Sequence, residues 1–231
     1  MKKLFLTLAA VGFAQAAFAQ VEIGLKVSPG LAYLRANSPS TTNFQGDGTK
    51  FSIGGGIFMD YFFGQNYAFN TGVFLTGKGG SYTYTDRNPP LGVAGGAAVA
   101  VKQKLAIQYL EIPATIKLFT NEVAPDTRLY FQVGGSLAFP VGVRLNDDKY
   151  YTDAYNSNAQ TKASDHVFGV DANLLGAVGT EFQLGQSTKL LAGLSYHHGL
   201  IDLDRYFEKN RNFDDVTIKN SVFALDLGLK F

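Results

Sequence analysis

The 231-residue chain has no cysteine and no tryptophan, only two methionines and three histidines, and a formal net charge of +1 at pH 7. Each absence closes a class. Without cysteine there is no disulfide scaffold, no thiolate zinc site, no cysteine nucleophile and no lipidated N-terminal cysteine. The near-balanced charge offers no basic face to DNA or RNA, so no nucleic-acid partner is expected. Long apolar runs are missing as well. Beyond the first twenty residues the best stretch, 91–101, is about half the ~20 residues that a spanning helix needs. Disorder is excluded by a 46% apolar content in a chain of one-domain length. What is abundant is glycine, with 26 residues, beside 19 Phe and 12 Tyr.

The first nineteen residues read apart from the rest. Lys2 and Lys3 precede an apolar stretch from Leu4 to Phe13, and small residues end at Ala17-Phe18-Ala19. This is the three-part layout of a secretory signal peptide, so 1–19 is expected to be removed and 20–231 to form the mature domain. A membrane anchor would need about 20 apolar residues and no cleavage pattern.

The mature chain alternates with period two. Eight stretches, 21–35, 50–63, 67–84, 104–119, 128–145, 166–184, 189–203 and 220–231, each carry one apolar and one glycine-rich, charged face. In the last, Phe223, Leu225, Leu227, Leu229 and Phe231 oppose Asp226, Gly228 and Lys230. The connections alternate too, with long polar loops after odd strands and short turns after even ones. That rhythm predicts an all-β fold, an eight-stranded antiparallel up-and-down transmembrane β-barrel, with termini and short turns in the periplasm and four long loops outside.

Periodicity alone also allows a soluble sandwich or a lipocalin-like barrel, with the apolar face inward. Three features favour the inverted arrangement. Small residues crowd the charged face, as a narrow lumen requires. Aromatics gather at both strand ends in two girdles: Tyr61, Phe63, Tyr67, Phe69, Phe119, Phe182 and Phe231 by the turns, and Tyr33, Phe51, Phe139, Phe168, Tyr196 and Phe223 by the loops. The strands also exceed the roughly 9–11 residues that a tilted span needs. The lumen is then expected to hold a side-chain ion-pair network of Glu22, Lys26, Asp60, Lys78, Glu111, Lys117, Arg128, Arg144, Asp171, Glu181, Asp226 and Lys230. Acids and bases match in number, and paired they would plug a barrel of this size.

The segment Tyr109-Leu110-Glu111-Ile112-Pro113, followed by Lys117, resembles a Y-L-E-I-P-x-x-x-K stretch in small outer-membrane β-barrels of the PorT type. Gly24-Leu25-Lys26 with Gly30, Thr71-Gly72 leading to Lys78-Gly79, Tyr196 with Gly199-Leu200, and the terminal Phe231 fit the same pattern. The resemblance implies a Gram-negative outer-membrane barrel, a family some of whose members support protein secretion. Outer-membrane lipid is the implied surrounding. Phe231 resembles the C-terminal signal read by the barrel-assembly machinery, making that complex an implied transient partner. Pro113 within a strand is expected at a bulge.

Candidate chemistry is thin. Ser195, His197 and His198 raise a lipid-modifying enzyme, but Ser195 and His197 share a face from which His198 points away. The acidic run Asp147-Asp148-Lys149-Tyr150-Tyr151-Thr152-Asp153 lacks calcium-loop spacing and reads as a solvated loop. Gly54-Gly55-Gly56 precedes no helix and is no phosphate cradle. Residues 91–101 read either as an extension of a hairpin above the membrane or as an apolar patch for a partner. The leading expectation is a closed structural or interaction barrel without cofactor or catalysis, with support of envelope assembly or secretion through other envelope proteins as its expected role. A narrow pore or an outer-membrane lipid-modifying enzyme is the alternative.

Overall fold

The computed structural model describes residues 21–39, 41–87, 98–155, 158–211, 213 and 215–231. The expected signal peptide and most of 91–101 lie outside these. Eight long strands build the body: β1 (Val21–Asn37), β3 (Thr49–Gly64), β4 (Tyr67–Asp86), β5 (Val99–Ala124), β6 (Thr127–Leu145), β9 (Asp171–Gln183), β10 (Lys189–Gly199) and β11 (Thr217–Lys230). The two-residue β2 (Gln45–Gly46) lies on the loop end of β4, and β7 (Tyr150–Asp153) pairs with β8 (Ala159–Lys162) in the third long loop. A 3-10 turn (Ala163–His166) and a short helix α1 (Tyr206–Arg211) sit in the third and fourth loops.

Each of the eight pairs antiparallel with both neighbours, and β11 closes on β1, so the ring has no free edge. Glu22, Asp60, Asn70, Thr115, Gly134, Leu175, His197 and Val222 are successive partners around it. The circuit re-enters β1 at Ala32, ten residues beyond Glu22. Eight strands with a stagger of ten tilt by about 40° and close a barrel roughly 16 Å across. That width leaves room for side chains and little else.

Polarity is inverted over the turn-end half. Leu25, Val27, Ile57, Val73, Val133 and Leu227 are exposed on the outside, whereas Asp60, Lys78, Asp171 and Lys230 are 0% exposed inside. A protein bathed in water on that face would not leave such a continuous apolar band open. Towards the loops the polarity turns over again. Tyr82, Tyr84, Leu105, Ile107 and Leu145 point inward and are buried, with Lys102 outside. At 26 residues β5 is far longer than a span requires, so its loop-end half stands clear of hydrocarbon and packs as a water-soluble protein would.

Several expectations need correction. The β5–β6 register shifts where Gln108 faces Gly142 and Tyr109 faces Pro140, leaving Val141 as an extra residue. A bulge reverses every side chain beyond it. Arg144, expected in the lumen, is therefore exposed outside, and Val143, expected outside, is buried. Pro113 is not at a bulge: it pairs in unshifted register with Ser136, while on the β4 side the pairing is interrupted between Ala114 and Glu111. A missing N–H removes no ladder bond there. The stretch 166–184 becomes strand only from Asp171, 189–203 ends its strand at Gly199, and 104–119 begins its strand early, at Val99.

Phe119, expected in a girdle, is buried inside, stacked 5.4 Å from Phe62. It shares its side of β5 with Lys117. Glycine makes room for one of these inner aromatics: a Cβ on Gly193 would stand 2.3 Å from the Tyr130 hydroxyl, and one on Gly179 2.6 Å from its ring. The small residues of the charged face thus let rings lie flat against the barrel wall.

Candidate functional site

Inward positions on β1, β3, β5, β9 and β11 converge at the turn end on Lys230. Its Nζ lies 2.8 Å from Glu22, 3.0 Å from Asp60 and 2.6 Å from Glu181. Lys117 reaches Asp60 at 3.0 Å, Arg128 reaches Glu181 at 3.5 Å, and Lys189 pairs with Glu22. Aromatic rings cover the cations: Lys117 lies 4.9 Å from the centre of Phe58 and 5.1 Å from that of Tyr130, and Lys230 lies 5.3 Å from that of Phe119. In so narrow a space the ring faces supply negative potential where water is excluded.

A second tier lies at mid-barrel. Lys26 pairs with Asp226 at 3.0 Å, and Ser28 and Ser195 donate to the same carboxylate at 2.6 and 3.1 Å. Glu111 is held by Lys78 at 3.2 Å, by His197 at 3.1 Å, and by hydroxyls of Thr76 and Ser136. Asp171 is buried with these but has no ion pair among the described residues; the Asn220 amide donates to it at 3.2 Å. Of the twelve charged residues, eleven therefore face the lumen and Arg144 does not. The cavity within this second tier, lined in part by Lys26, Lys78, Glu111 and His197, is ≈ 30 Å³, and one between it and the turn-end tier, bordered by Asp226 and Lys117, is ≈ 10 Å³. The larger has room for about two waters.

Alternation placed the ionic residues but not what fills the gaps between them. Lys189 and the amides of Asn70, Gln132 and Asn173 join the network: Asn70 donates to Asp60 at 2.6 Å, Gln132 to Asn70 at 3.0 Å, and Lys78 to Asn173 at 3.0 Å. Their parity on the strands, the same as that of the charges, is the signal that marks them. Ser195 and His197 do not form a nucleophile–base pair, because each is committed to a different carboxylate. His198 lies outside against Tyr196, 3.1 Å from its hydroxyl.

Above the lumen the long loops fold inward and build a cap. Phe44 from the first loop stacks on Tyr84 at 4.8 Å, and Phe207 of α1 meets both rings edge-on at 4.9 and 5.1 Å. Leu34, Ile107, Val167, Leu203 and Ile218 complete one buried cluster. The acidic run is not uniformly solvated: Asp147 and Asp148 are exposed, but Asp153 is buried and accepts from the Tyr206 hydroxyl at 2.7 Å. Arg211 ties α1 to Asp86 on β4 at 2.8 Å and lies over the ring of Tyr155. Among the described residues no cluster of three or more His, Asp or Glu could hold a metal.

Asp204 caps α1, accepting from the backbone of Tyr206 and Phe207 at 3.1 Å and of Glu208 at 3.2 Å. Burial pushes its carboxyl up to about 6, with nearby Asp202 adding to the rise. His166, stacked 4.0 Å from Tyr206, is pushed down to about 4 by burial. The two act in opposite senses. Between pH 6 and 4 the folded cap takes up the Asp204 proton first and gains stability as pH falls; below 6.5 the unfolded chain takes up the His166 proton first and the cap loses it. Asp204→Asn keeps a capping oxygen and removes the buried charge. At pH 7 its fourth loop is expected to resist trypsin severalfold longer than wild type, loosening steadily on acidification. Faster cleavage at pH 7 would contradict the assignment.

The chain is similar in structure to neisserial surface protein A (12% identity, covering 92% of this chain and 97% of the other, TM-score 0.47). It is also similar to the outer membrane protein OprG of Pseudomonas aeruginosa (10%, 90% and 95%, TM-score 0.42). A third is the attachment invasion locus protein of Yersinia pestis (12%, 92% and 99%, TM-score 0.37). No curated protein matches the sequence. The family model described as outer membrane protein beta-barrel domain matches residues 13–205. With its closed eight-stranded ring and outward apolar band, the chain belongs to that outer-membrane β-barrel family and resides in the outer membrane.

Proposed function

We propose that this protein is a closed outer-membrane barrel that serves as a rigid platform for its loops rather than as a pore or an enzyme. The observation that carries this is the double closure: ion-pair tiers fill the lumen, with cavities of only ≈ 30 Å³ at mid-barrel and ≈ 10 Å³ below it, and an aromatic cap stands over them. A hydrated ion would have to displace paired charges and then part the cap, each step costly in a low-dielectric interior. The lumen charges act here as register pins for the strands that contribute them. Termini and short turns face the periplasm and the long loops face outward.

The PorT-type resemblance points to a role in envelope assembly or protein secretion, with another envelope protein as the partner of the cap. Residues 1–19 act as the export signal, with 20–231 as the barrel domain. Phe231, which is exposed and backbone-paired with Ile23 at 2.8 Å, is the element offered to the barrel-assembly machinery. Reconstitution into planar bilayers tests the closed lumen. No discrete conductance steps are expected at 100 mV in 1 M KCl, and steady unitary steps would overturn the reading. Incubation with Gram-negative lipid A should likewise yield no deacylated product.

A further inference from the structure

The bulge that turns Arg144 outward does not leave it on a featureless surface. It faces Ala106 on β5, one step above Val141, and borders a pocket of ≈ 520 Å³ on the outside of the barrel. The pocket's wall on the band side is apolar, from Phe51, Ile53 and Val141, each more than half exposed. Its other wall carries Lys50, Arg144 and Lys149 with a single carboxylate, Asp147. That carboxylate is already engaged by Lys104 at 2.9 Å. The Lys104 hydrogen bond holds the Asp147 carboxyl below its ordinary range, and the charges of Lys104, Arg144 and Lys50 pull the same way, so all crowd one anion. Among the described residues Lys50, Arg144 and Lys149 have no side-chain hydrogen bond or ion pair. Like charges gathered without counter-charge repel one another, and the arrangement is relieved by an anion from outside.

The position says which anion. On β6 the outward row runs Leu137, Phe139, Val141 and then Arg144, which puts the cations directly above the hydrocarbon band on the loop side. A free anion would have no use for the apolar wall, and a neutral lipid none for the cations. We propose that this pocket binds a phosphorylated glycolipid of the outer leaflet, its phosphate between Arg144, Lys50 and Lys149 and an acyl chain along Phe51, Ile53 and Val141. Arg144 is the anchoring group, since a guanidinium can engage a phosphate through two parallel N–H donors. The inference goes beyond the closed-barrel reading and shares with it only the outward orientation of the loops.

The test measures lipid retained by full-length protein purified in dodecyl maltoside after exchange from phosphatidylethanolamine vesicles containing lipid A or enzymatically dephosphorylated lipid A. Wild type should retain the phosphorylated form and bind the dephosphorylated one at least tenfold more weakly. Each of Lys50→Gln, Arg144→Gln and Lys149→Gln should weaken binding of the phosphorylated form by roughly fivefold. Lys209→Gln, at an exposed position of α1, should leave it unchanged. Inorganic phosphate at 10 mM should not compete. Equal retention of the two lipids, equal retention by the variants, or full competition by phosphate would each overturn the proposal. The wild-type arms need no variant to fold, and heat-modifiable gel migration reports folding of the variants. Failure of the closed-lumen reading would show in conductance instead, and protease access to the loops in intact cells reports their orientation.

Discussion

Replacing Lys230 with methionine is expected to cost the barrel about 3–5 kcal/mol. One ammonium lies within 3.0 Å of three carboxylates, those of Glu22, Asp60 and Glu181. Methionine approximates the volume and removes the charge, leaving three acids to share Lys117, Lys189 and Arg128, each already engaged. The uncompensated charge cannot be hydrated, because Asp60 and Glu181 are buried and the rings of Phe58, Phe119 and Tyr130 occupy the remaining space. Urea unfolding in lipid vesicles, followed by heat-modifiable migration, should show the loss. Lys230→Arg, which keeps the charge in a bulkier head, should fall between wild type and methionine. Unfolding of the methionine variant at the wild-type urea concentration would show that these pairs contribute no net stability.

The second large effect belongs to the cap. Phe207→Ala removes a ring that is 1% exposed and touches Phe44, Tyr82, Tyr84 and Tyr206. A cavity of that size costs about 3–5 kcal/mol. Helix α1 has six residues and little stability of its own, so the cost falls on the cap. Trypsin should then cut at Arg205, Lys209 or Arg211 within minutes on a protein whose barrel still migrates as folded. Conductance should remain absent, because the ion-pair tiers lie below the cap and share none of its residues. Loss of heat-modifiable migration in this variant would mean that cap and barrel fold as one unit.

Much of the architecture follows from alternation. In β11, Phe223 to Phe231 and Asp226 to Lys230 separate onto two faces, and no packing argument is needed to see it. The short turns were equally plain. The rim was not, because a bulge is invisible to periodicity. Residues 139–145 read Phe-Pro-Val-Gly-Val-Arg-Leu, and nothing in that string says that Val141 is the extra residue in its ladder. One inserted residue moved Arg144 from the expected network to the outer surface. Phe119 is the opposite case: its parity with Lys117 was available, and its aromatic character pointed to the membrane instead.

The cap lies furthest from what a linear reading can reach. Tyr84, Phe44 and Phe207 come from three separate parts of the chain and have no common period. The sequence by itself determined the number of strands and their two opposed faces, because local alternation sorts side chains between two faces whatever the neighbouring strands do. The small residues on the charged face, with aromatics at the strand ends, favoured turning that face inward. Only the tertiary structure decided which charges meet, where the bulge turns one of them out, and that the loops bury an apolar core of their own. Those outcomes depend on ring closure, register and contacts between residues far apart in the chain, which no local pattern encodes.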